Sequence, residues 1–217
     1  MPHFDLRHFL ETVGEKMGES AFILQVGAMD GKTFDPVHEF IERFRWRGLL
    51  VEPIREHFEK LAAAYSGHTG LSFANVAIAA HCGTVEMHRV PSEHVLDGSV
   101  PRWGLGAASF YTDRNALGFD EVRPFVVAEK VPCLTLPELL ARYKVEQIDI
   151  FQIDAEGFDY HVCKQLDFNR YRPKVINMEI VNMPKAERTA CKRMLDSAGY
   201  LYVKGGYDLL AVSNEFI

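Results

Sequence analysis

Short apolar segments that alternate with amphipathic segments are the feature that most restricts the fold of this 217-residue chain. Buried strands are predicted at 21–26, 48–51 and 71–78, and segments with the apolar spacing of helices lie between them. Strands joined through helices run parallel, and such crossovers are right-handed. The pattern therefore predicts an α/β domain built on a parallel sheet.

The second half of the chain continues the alternation and then ends differently. Four further strands are predicted, at 84–90, 126–133, 148–153 and 175–180. Near the end, Gly205-Gly206 separates apolar segments at 200–203 and 207–212, which predicts an antiparallel hairpin. We therefore expect a doubly wound, mostly parallel seven-stranded sheet with a C-terminal antiparallel β-hairpin. This is the Rossmann-like layout of class I S-adenosylmethionine-dependent methyltransferases, whereas a dehydrogenase domain runs parallel to its end.

The length and the composition, 47% hydrophobic and 25% charged, predict a single domain over residues 1–217. Within it we expect an N-terminal helix in residues 1–20 and an active-site loop insertion at 91–125, which lacks hydrophobic periodicity. The insertion would act as a lid over bound ligands; the alternative is a loop that packs on its own aromatic residues. Its aromatic and arginine residues suit a sugar or natural-product hydroxyl, with room for an anionic group. They are Trp103, Phe110, Tyr111, Phe119, Arg102, Arg114 and Arg123.

The charge balance argues against a nucleic-acid partner, because 24 Lys and Arg face 30 Asp and Glu, a net charge of −6. No apolar segment approaches the roughly 18 residues that a membrane span needs, and we expect no signal peptide. The 4 cysteines are scattered without a paired spacing, which favours reduced thiols and a cytoplasmic location. A homo-oligomer is compatible with these features.

The turn after the first predicted strand carries a G-x-x-x-G spacing, from Gly27 to Gly31. The dinucleotide fingerprint needs a glycine where Met29 stands, and a phosphate loop needs one more residue in the turn. A methyl-donor turn fits better, because glycines let the backbone approach the ligand and Asp30 suits a sulfonium and an amine. A strand–helix turn without a ligand is the alternative. The cofactor-binding residues predicted here are Val26, Gly27, Ala28, Asp30 and Gly31.

Two further strand ends are predicted to contact the cofactor. Glu52, followed by Pro53, ends the second strand, where doubly wound folds place an acid that accepts hydrogen bonds from ribose hydroxyls. Both NAD and S-adenosylmethionine carry such a ribose, and a carboxylate favoured by a helix dipole is the alternative. Asn75, Val76 and Ala77 lie on or after the third strand and are predicted to reach the adenine edge.

Carboxylates also follow the fourth and fifth core strands. Asp154 and Glu156 lie just past one strand and Glu179 near the end of the next, and adjacent strands are about 4.8 Å apart. We predict all three as catalytic, with Asp154 as the base or the group that orients the acceptor, and also as a cofactor contact. A divalent metal and a helix-capping role for Glu156 are alternatives, and no metal ligand is assigned. His94, in the insertion, is a spare base.

Several segments spread from residue 23 to the terminal hairpin resemble the FkbM-type methyltransferase family. They are 23–31, Asp35-Pro36, 48–53, 73–78 with Gly83, 135–140 and 148–157. The most specific is Asp154-Ala155-Glu156-Gly157 in combination with the glycine turn and Glu52-Pro53. Met29 departs from the asparagine that the family often has.

The resemblance implies transfer of a methyl group from S-adenosyl-L-methionine, typically to a hydroxyl oxygen of a small molecule, sugar or lipid. It also implies that Ser109 contacts the cofactor or the acceptor, where an ordinary loop hydroxyl is the alternative. Two other functions stay open: a non-catalytic, cofactor-binding scaffold of the same fold, and an NAD-linked Rossmann-type enzyme. The Asn-Pro-Pro-aromatic motif of base-amine methylases is absent.

Overall fold

Strands and helices alternate through most of the computed structural model, which describes residues 4–113 and 115–217. The strands are β1 (Phe22–Val26), β2 (Arg47–Val51), β3 (Leu71–Ala74), β4 (Ala77–Ile78), β5 (Gly83–Arg89), β6 (Ala108–Ser109), β7 (Val127–Leu134), β8 (Ile150–Ile153), β9 (Val175–Glu179), β10 (Tyr200–Gly205) and β11 (Asp208–Ser213). The α-helices are α1 (Leu6–Met17), α2 (His38–Phe44), α3 (Arg55–Ala64), α4 (Ser92–Leu96), α5 (Leu136–Arg142), α6 (Asp159–Cys163) and α7 (Lys185–Ser197).

The main sheet has seven strands in the order β10-β11-β9-β8-β1-β2-β3. The five strands from β9 to β3 run parallel to one another, whereas β11 is antiparallel to both β9 and β10. Its central strands are buried because helices cover both faces: α1 and α2 pack on one face, and α5, α6 and α7 pack on the other. The predicted seven-stranded sheet with its terminal antiparallel hairpin is confirmed.

A second, four-stranded sheet has the order β4-β7-β5-β6 and was not predicted. The predicted strand at 71–78 divides into β3 and β4, which lie in different sheets. The break is at Asn75, whose amide donates hydrogen bonds of 2.9 Å to the carbonyls of Glu52 and Pro53. The segment expected as a hairpin strand at 84–90 is β5, which pairs with β7 over its whole length.

The insertion at 91–125 contains α4, β6 and short 3₁₀ turns at Arg102–Leu105, Ala116–Gly118 and Arg123–Phe125. Its residues Val100, Ala107, Leu117 and Val122 form a small apolar core together with Val90, which directly precedes it. Arg114 lies outside the described residues.

The helix expected in residues 1–20 is α1, which begins after the capping side chain of Asp5 and continues into a 3₁₀ turn at Gly18–Ser20. Residues 1–3 lie outside the described part. In the ranges 4–113 and 115–217, no helix is both long enough and apolar enough to span a membrane.

Candidate active site

The carboxyl ends of the parallel strands open into a cavity of about 350 Å³. This is the edge of an open α/β sheet at which ligands bind. Trp103, Gly106, Ala108 and Phe110 of the insertion cover part of it. Ten of the predicted site residues line the cavity: Val26, Gly27, Ala28, Glu52, Pro53, Val76, Ala77, Asp154, Glu156 and Glu179.

Asp30 and Gly31, which were predicted to contact the cofactor, are not among the residues that line the cavity. Both Asp30 oxygens accept hydrogen bonds within the turn, from the Thr33 and Lys32 backbone N–H groups and the Thr33 hydroxyl. Burial acts to raise the pKa of Asp30, but these bonds outweigh it and hold the pKa below its usual value. An added Cβ on Gly31 would lie 2.7 Å from Leu61 Cδ1, so this glycine permits packing on α3.

Asn75 and Ser109 also do not line the cavity. Their side chains instead form hydrogen bonds with the backbone of segments that do. The two Asn75 hydrogen bonds fix the turn that carries Glu52. The Ser109 hydroxyl donates to the Glu156 carbonyl at 2.7 Å and accepts from the Tyr111 N–H at 3.1 Å. Ser109 therefore ties the insertion to the turn after β8.

Gly27 lines the cavity and has φ +83°. The space where a side chain would lie, however, is occupied by the backbone of Asp154. A Cβ added there would be 1.8 Å from the carbonyl oxygen of Asp154. The glycine is thus required by the close approach of β1 and β8, a different reason from the ligand contact that the sequence suggested. Met29 has φ +46°, a conformation that asparagine adopts more readily than methionine.

Glu52 joins the turns after β1 and β2. It is 4% exposed, and its two oxygens accept hydrogen bonds of 2.8 Å from the Met29 and Ile54 N–H groups. Burial raises its pKa to about 7, although both hydrogen bonds oppose the shift. A carboxylate has about four lone-pair positions, so Glu52 keeps acceptor capacity for a ligand.

Asn182 joins two of the predicted catalytic acids. Its amide donates to Glu156 Oε2 at 3.1 Å and to Glu179 Oε2 at 2.8 Å. Sequence reasoning missed this residue, although its position shortly after β9 places it at the same edge of the sheet as Glu179. Asn182 holds the two carboxyl groups together beside Asp154.

The acids of this group have raised pKa values. Desolvation is the main cause, and mutual repulsion adds to it: the pKa of Glu179 rises to about 7, and those of Asp154 and Glu156 rise well above their usual range. Asp154 keeps accessible surface, and it lines the cavity. Within the described ranges, no group of three or more His, Cys, Asp or Glu side chains is arranged to hold a metal ion.

Asp159, rather than Glu156, caps the turn after β8. Its two oxygens accept from the Ala155 N–H at 3.0 Å and the Gly157 N–H at 3.1 Å. Glu156 itself has φ +49°, and its carboxylate is directed to Asn182. The capping interpretation of Glu156 is therefore wrong. Its carboxylate accepts from Asn182, and the residue lines the cavity.

Polar residues in otherwise apolar strands form a part of the site that sequence reasoning missed. Gln25, Gln152 and Asn177 are in register across β1, β8 and β9, and the first two line the cavity. Gln25 donates to Asp35 Oδ2 at 3.2 Å. His57, at the start of α3, also lines the cavity; it is 3% exposed, and its Nε2 has no hydrogen-bond partner among the described residues. The sequence feature that could have revealed these residues is their polarity, because they lie within apolar strands or at the start of a helix.

The two described arginines of the insertion, Arg102 and Arg123, do not line the cavity. Arg102 lies over the Phe34 ring at 5.9 Å, and Arg123 pairs with Asp120 at 3.6 Å. Neither these arginines nor His94 is among the cavity-lining residues. Arg102 nevertheless lies at the margin of the cavity, because its partner Phe34 is a lining residue. The room for an anionic group beside the arginines stays a prediction.

Glu52 and Glu179 predict an unusual dependence of stability on pH. Their pKa values of about 7 exceed the ordinary 4.5, so between these pH values the folded protein holds protons that the unfolded chain has released. Stability should therefore fall as the pH rises through this window. We expect the melting temperature to decrease from pH 5 to pH 7.5, and Glu179→Gln to make the slope smaller. A melting temperature that rises over this range would contradict the assignment.

Comparison with known proteins identifies the family and the fold of the chain. The family model of the methyltransferase FkbM domain matches residues 25–202. The crystal structure of methyltransferase FkbM from Methylobacillus flagellatus KT matches with 9% identity and a TM-score of 0.53, over 89% of this chain and 44% of that chain. The chain thus spans less than half of that protein. No curated protein matches the chain.

The METTL16 methyltransferase domain matches with 11% identity and a TM-score of 0.51, over 100% of this chain and 70% of that chain. At such identities the two structures support the fold alone, which is the predicted Rossmann-like fold of class I methyltransferases. The family model covers well over half of the sequence, including both strand ends that carry Glu52 and Asp154. The chain therefore belongs to the FkbM methyltransferase domain family.

Proposed function

We propose that this chain is an S-adenosyl-L-methionine-dependent O-methyltransferase that acts on a hydroxyl of a small molecule, sugar or lipid. The observation that carries the proposal is the arrangement of Glu52, Gly27 and Asp154 around one cavity at the carboxyl edge of the sheet. A candidate nucleoside-binding acid and a candidate base thus line the same cavity. Family membership supports the methyl-transfer class of reaction.

The residues around the cavity fit this cofactor. Glu52 is positioned to accept hydrogen bonds from ribose hydroxyls. Val76, Ala77 and Pro53 offer an apolar wall for adenine, and His57 brings an unpartnered ring nitrogen close to it. The acidic lining suits a ligand with a sulfonium and an amine, and the sulfonium supplies an activated methyl group.

Asp154 has the role of orienting the acceptor hydroxyl and taking its proton. Its accessible surface faces the cavity, and its raised pKa makes it a stronger base than an ordinary aspartate once deprotonated. Glu156 and Glu179 support it as neighbouring acids held by Asn182. Because the pKa values of the three are linked, they titrate as a group.

Calorimetry with S-adenosylhomocysteine, NAD and ATP tests the cofactor. We expect binding of S-adenosylhomocysteine alone; binding of NAD without S-adenosylhomocysteine would contradict the proposal and favour an NAD-linked enzyme. Screening hydroxyl-bearing metabolites for methyl transfer then separates an enzyme from a cofactor-binding scaffold, because only an enzyme turns over.

Glu52→Gln should weaken S-adenosylhomocysteine binding by about 10- to 100-fold. Hydrogen bonds to a charged group contribute about 1.5–3 kcal/mol. In the variant, the amide NH₂ would also face one of the two N–H groups that donate hydrogen bonds to the Glu52 carboxylate. Glu59→Gln, a change on the exposed side of α3, is the matched control and should bind normally. Equal affinity of a folded Glu52→Gln protein would remove the ribose assignment.

Residues 91–125 should become less accessible to protease when the cofactor site is filled, because four of them line the cavity. We expect S-adenosylhomocysteine to slow cleavage within this insertion, and Ser109→Ala to speed it in the empty protein by removing the bond to the Glu156 carbonyl. Identical cleavage rates with and without ligand would favour an insertion that only packs on its own core.

A cytoplasmic location is part of the proposal, and it is supported by the four free cysteine thiols, Cys82, Cys133, Cys163 and Cys191.

A further inference from the structure

The solvent-exposed residues of the cavity lining mark its opening, which we call the cavity mouth. They are Phe34, Pro36, Trp103, Asp154 and Tyr207. Four of them are aromatic or proline residues, and the fifth is the candidate base. The part of the cavity that a substrate enters is therefore mostly apolar and contains the group expected to meet the acceptor hydroxyl.

Aromatic surface continues from the cavity mouth onto the outside of the insertion. The rings of Trp103 and Phe119 meet edge to face, with their centres 5.8 Å apart. Phe119 is 55% exposed and does not line the cavity. The guanidinium of Arg102 lies 5.9 Å from the centre of the Phe34 ring, so Phe34 lies beside the same turn of the insertion as Trp103. We call Phe34, Trp103 and Phe119 the aromatic track.

Phe34 holds its place in the track through an unfavourable backbone conformation. Its φ is +59°, in the left-handed region that bulky side chains rarely adopt. The ring is 62% exposed, so burial of the side chain does little to offset this cost. Backbone outliers of this kind cluster at functional sites. The conformation places an apolar ring in solvent at the cavity mouth, which indicates contact with a ligand.

We propose that the methyl acceptor is a lipid, whose hydroxyl-bearing head group lies against Asp154 and whose hydrocarbon chain leaves the cavity along the aromatic track. This inference rests on the proposed methyltransferase function. The acceptor oxygen forms a bond to the methyl carbon as the bond between that carbon and the sulfonium sulfur breaks. Asp154 takes the hydroxyl proton, and S-adenosylhomocysteine leaves as a neutral thioether.

The extent of the aromatic track favours a chain over a compact acceptor. A single sugar or aromatic ring with its hydroxyl beside Asp154 occupies the cavity mouth and leaves Phe119, outside the lining, in water. A chain can contact the mouth and Phe119 together. Each additional apolar contact removes surface from water, and the gain grows with the area covered.

The exposure of the track favours the acceptor over the cofactor. Adenosine is assigned to the part of the cavity lined by Glu52, Val76 and Ala77, which are buried or half-buried. The amino-acid end of the cofactor is charged, and it gains nothing from contact with apolar rings. The candidate base, by contrast, is exposed together with Phe34 and Trp103.

Two variants remove the ends of the aromatic track, Phe34→Asn at the mouth and Phe119→Ser outside it. Because asparagine adopts positive φ more readily than phenylalanine, Phe34→Asn should melt no lower than the unaltered protein. Leu201→Ser, at a 51%-exposed position on β10, is the control for loss of an exposed apolar side chain. A melting temperature lowered by several degrees in Phe34→Asn would show that the ring serves packing and would overturn the proposal.

The first binding measurement is S-adenosylhomocysteine affinity by calorimetry. We expect all three variants to stay within threefold of the unaltered protein. A tenfold loss in Phe34→Asn would assign the exposed ring to the cofactor and overturn the lipid proposal. Failure of the unaltered protein to bind S-adenosylhomocysteine would instead refute the proposed function.

The second measurement is binding of 1-alkanols, alkyl glucosides and alkyl glycerol ethers to the protein loaded with S-adenosylhomocysteine. Each series carries butyl, hexyl and octyl chains and is used below micelle-forming concentrations. Full burial of one CH₂ group improves affinity by about fourfold, so half-burial gives about twofold. We therefore expect the octyl member of at least one series to bind tenfold or more tightly than its butyl member.

This preference for the longer chain should fall below threefold in Phe34→Asn and in Phe119→Ser and persist in Leu201→Ser. Equal binding along every series, no binding of any member, or a preference retained in either aromatic variant would refute the lipid chain. Sedimentation of the unaltered protein tests the other occupant of such a surface, a second copy of the chain. A dimer that Phe119→Ser dissociates would also overturn the proposal.

Discussion

Asp154→Asn is expected to lower turnover by about 10²-fold or more while S-adenosylhomocysteine affinity stays within a few-fold. The change keeps the shape of the side chain but removes the group that takes the proton of the acceptor hydroxyl, and general bases typically contribute about 10²–10⁴-fold. Cofactor affinity is largely preserved because Glu52 and the apolar wall belong to other strand ends. The measurement is methyl transfer to the acceptor found by metabolite screening, with binding followed separately by calorimetry.

Asp208→Asn is the matched control for this experiment. Asp208 raises the pKa of Asp154 through its charge, yet it does not line the cavity and contacts Asn177 instead. Removing it should change turnover far less than Asp154→Asn does. Unchanged turnover in a folded Asp154→Asn protein would exclude Asp154 as the base and leave alignment of the reactants as the source of catalysis. His94 would not replace it, since its side chain packs on Phe125 away from the cavity.

The main sheet was predictable because each of its parallel strands is a nearly uninterrupted apolar segment joined to an amphipathic helix. The second sheet was not predictable, for two reasons. Its strands β5 and β7 are separated along the chain by the insertion, and many of their residues are exposed, so their apolar pattern is weak. The break at Asn75 depends on hydrogen bonds to the Glu52 turn, a contact that spacing along the chain does not reveal.

The candidate site was likewise predictable where sheet topology determines it, and not where individual hydrogen bonds do. Glu52, Asp154 and Glu179 lie where a parallel sheet collects the ends of its strands, so topology was enough to bring them together. The roles of Asp30 and Ser109 depended instead on individual partners: Asp30 accepts from Thr33, and Ser109 donates to the Glu156 carbonyl. Side-chain pairing of this kind is decided by local three-dimensional geometry, which composition and periodicity do not specify.

Gly27→Ala tests the role of the glycine turn, and we expect it to destabilise the fold. The new Cβ would lie 1.8 Å from the Asp154 carbonyl oxygen, and φ +83° is unfavourable for alanine. Because the obstacle is backbone, β1 and β8 must move apart, at a cost of about 3 kcal/mol or more, which lowers the melting temperature by about 6–12 °C in a domain of this size. Gly67→Ala is the control, since no heavy atom lies within 4 Å of its added Cβ, and it should melt normally. A Gly27→Ala protein that melts normally but no longer binds S-adenosylhomocysteine would show that the ligand, rather than β8, requires the glycine.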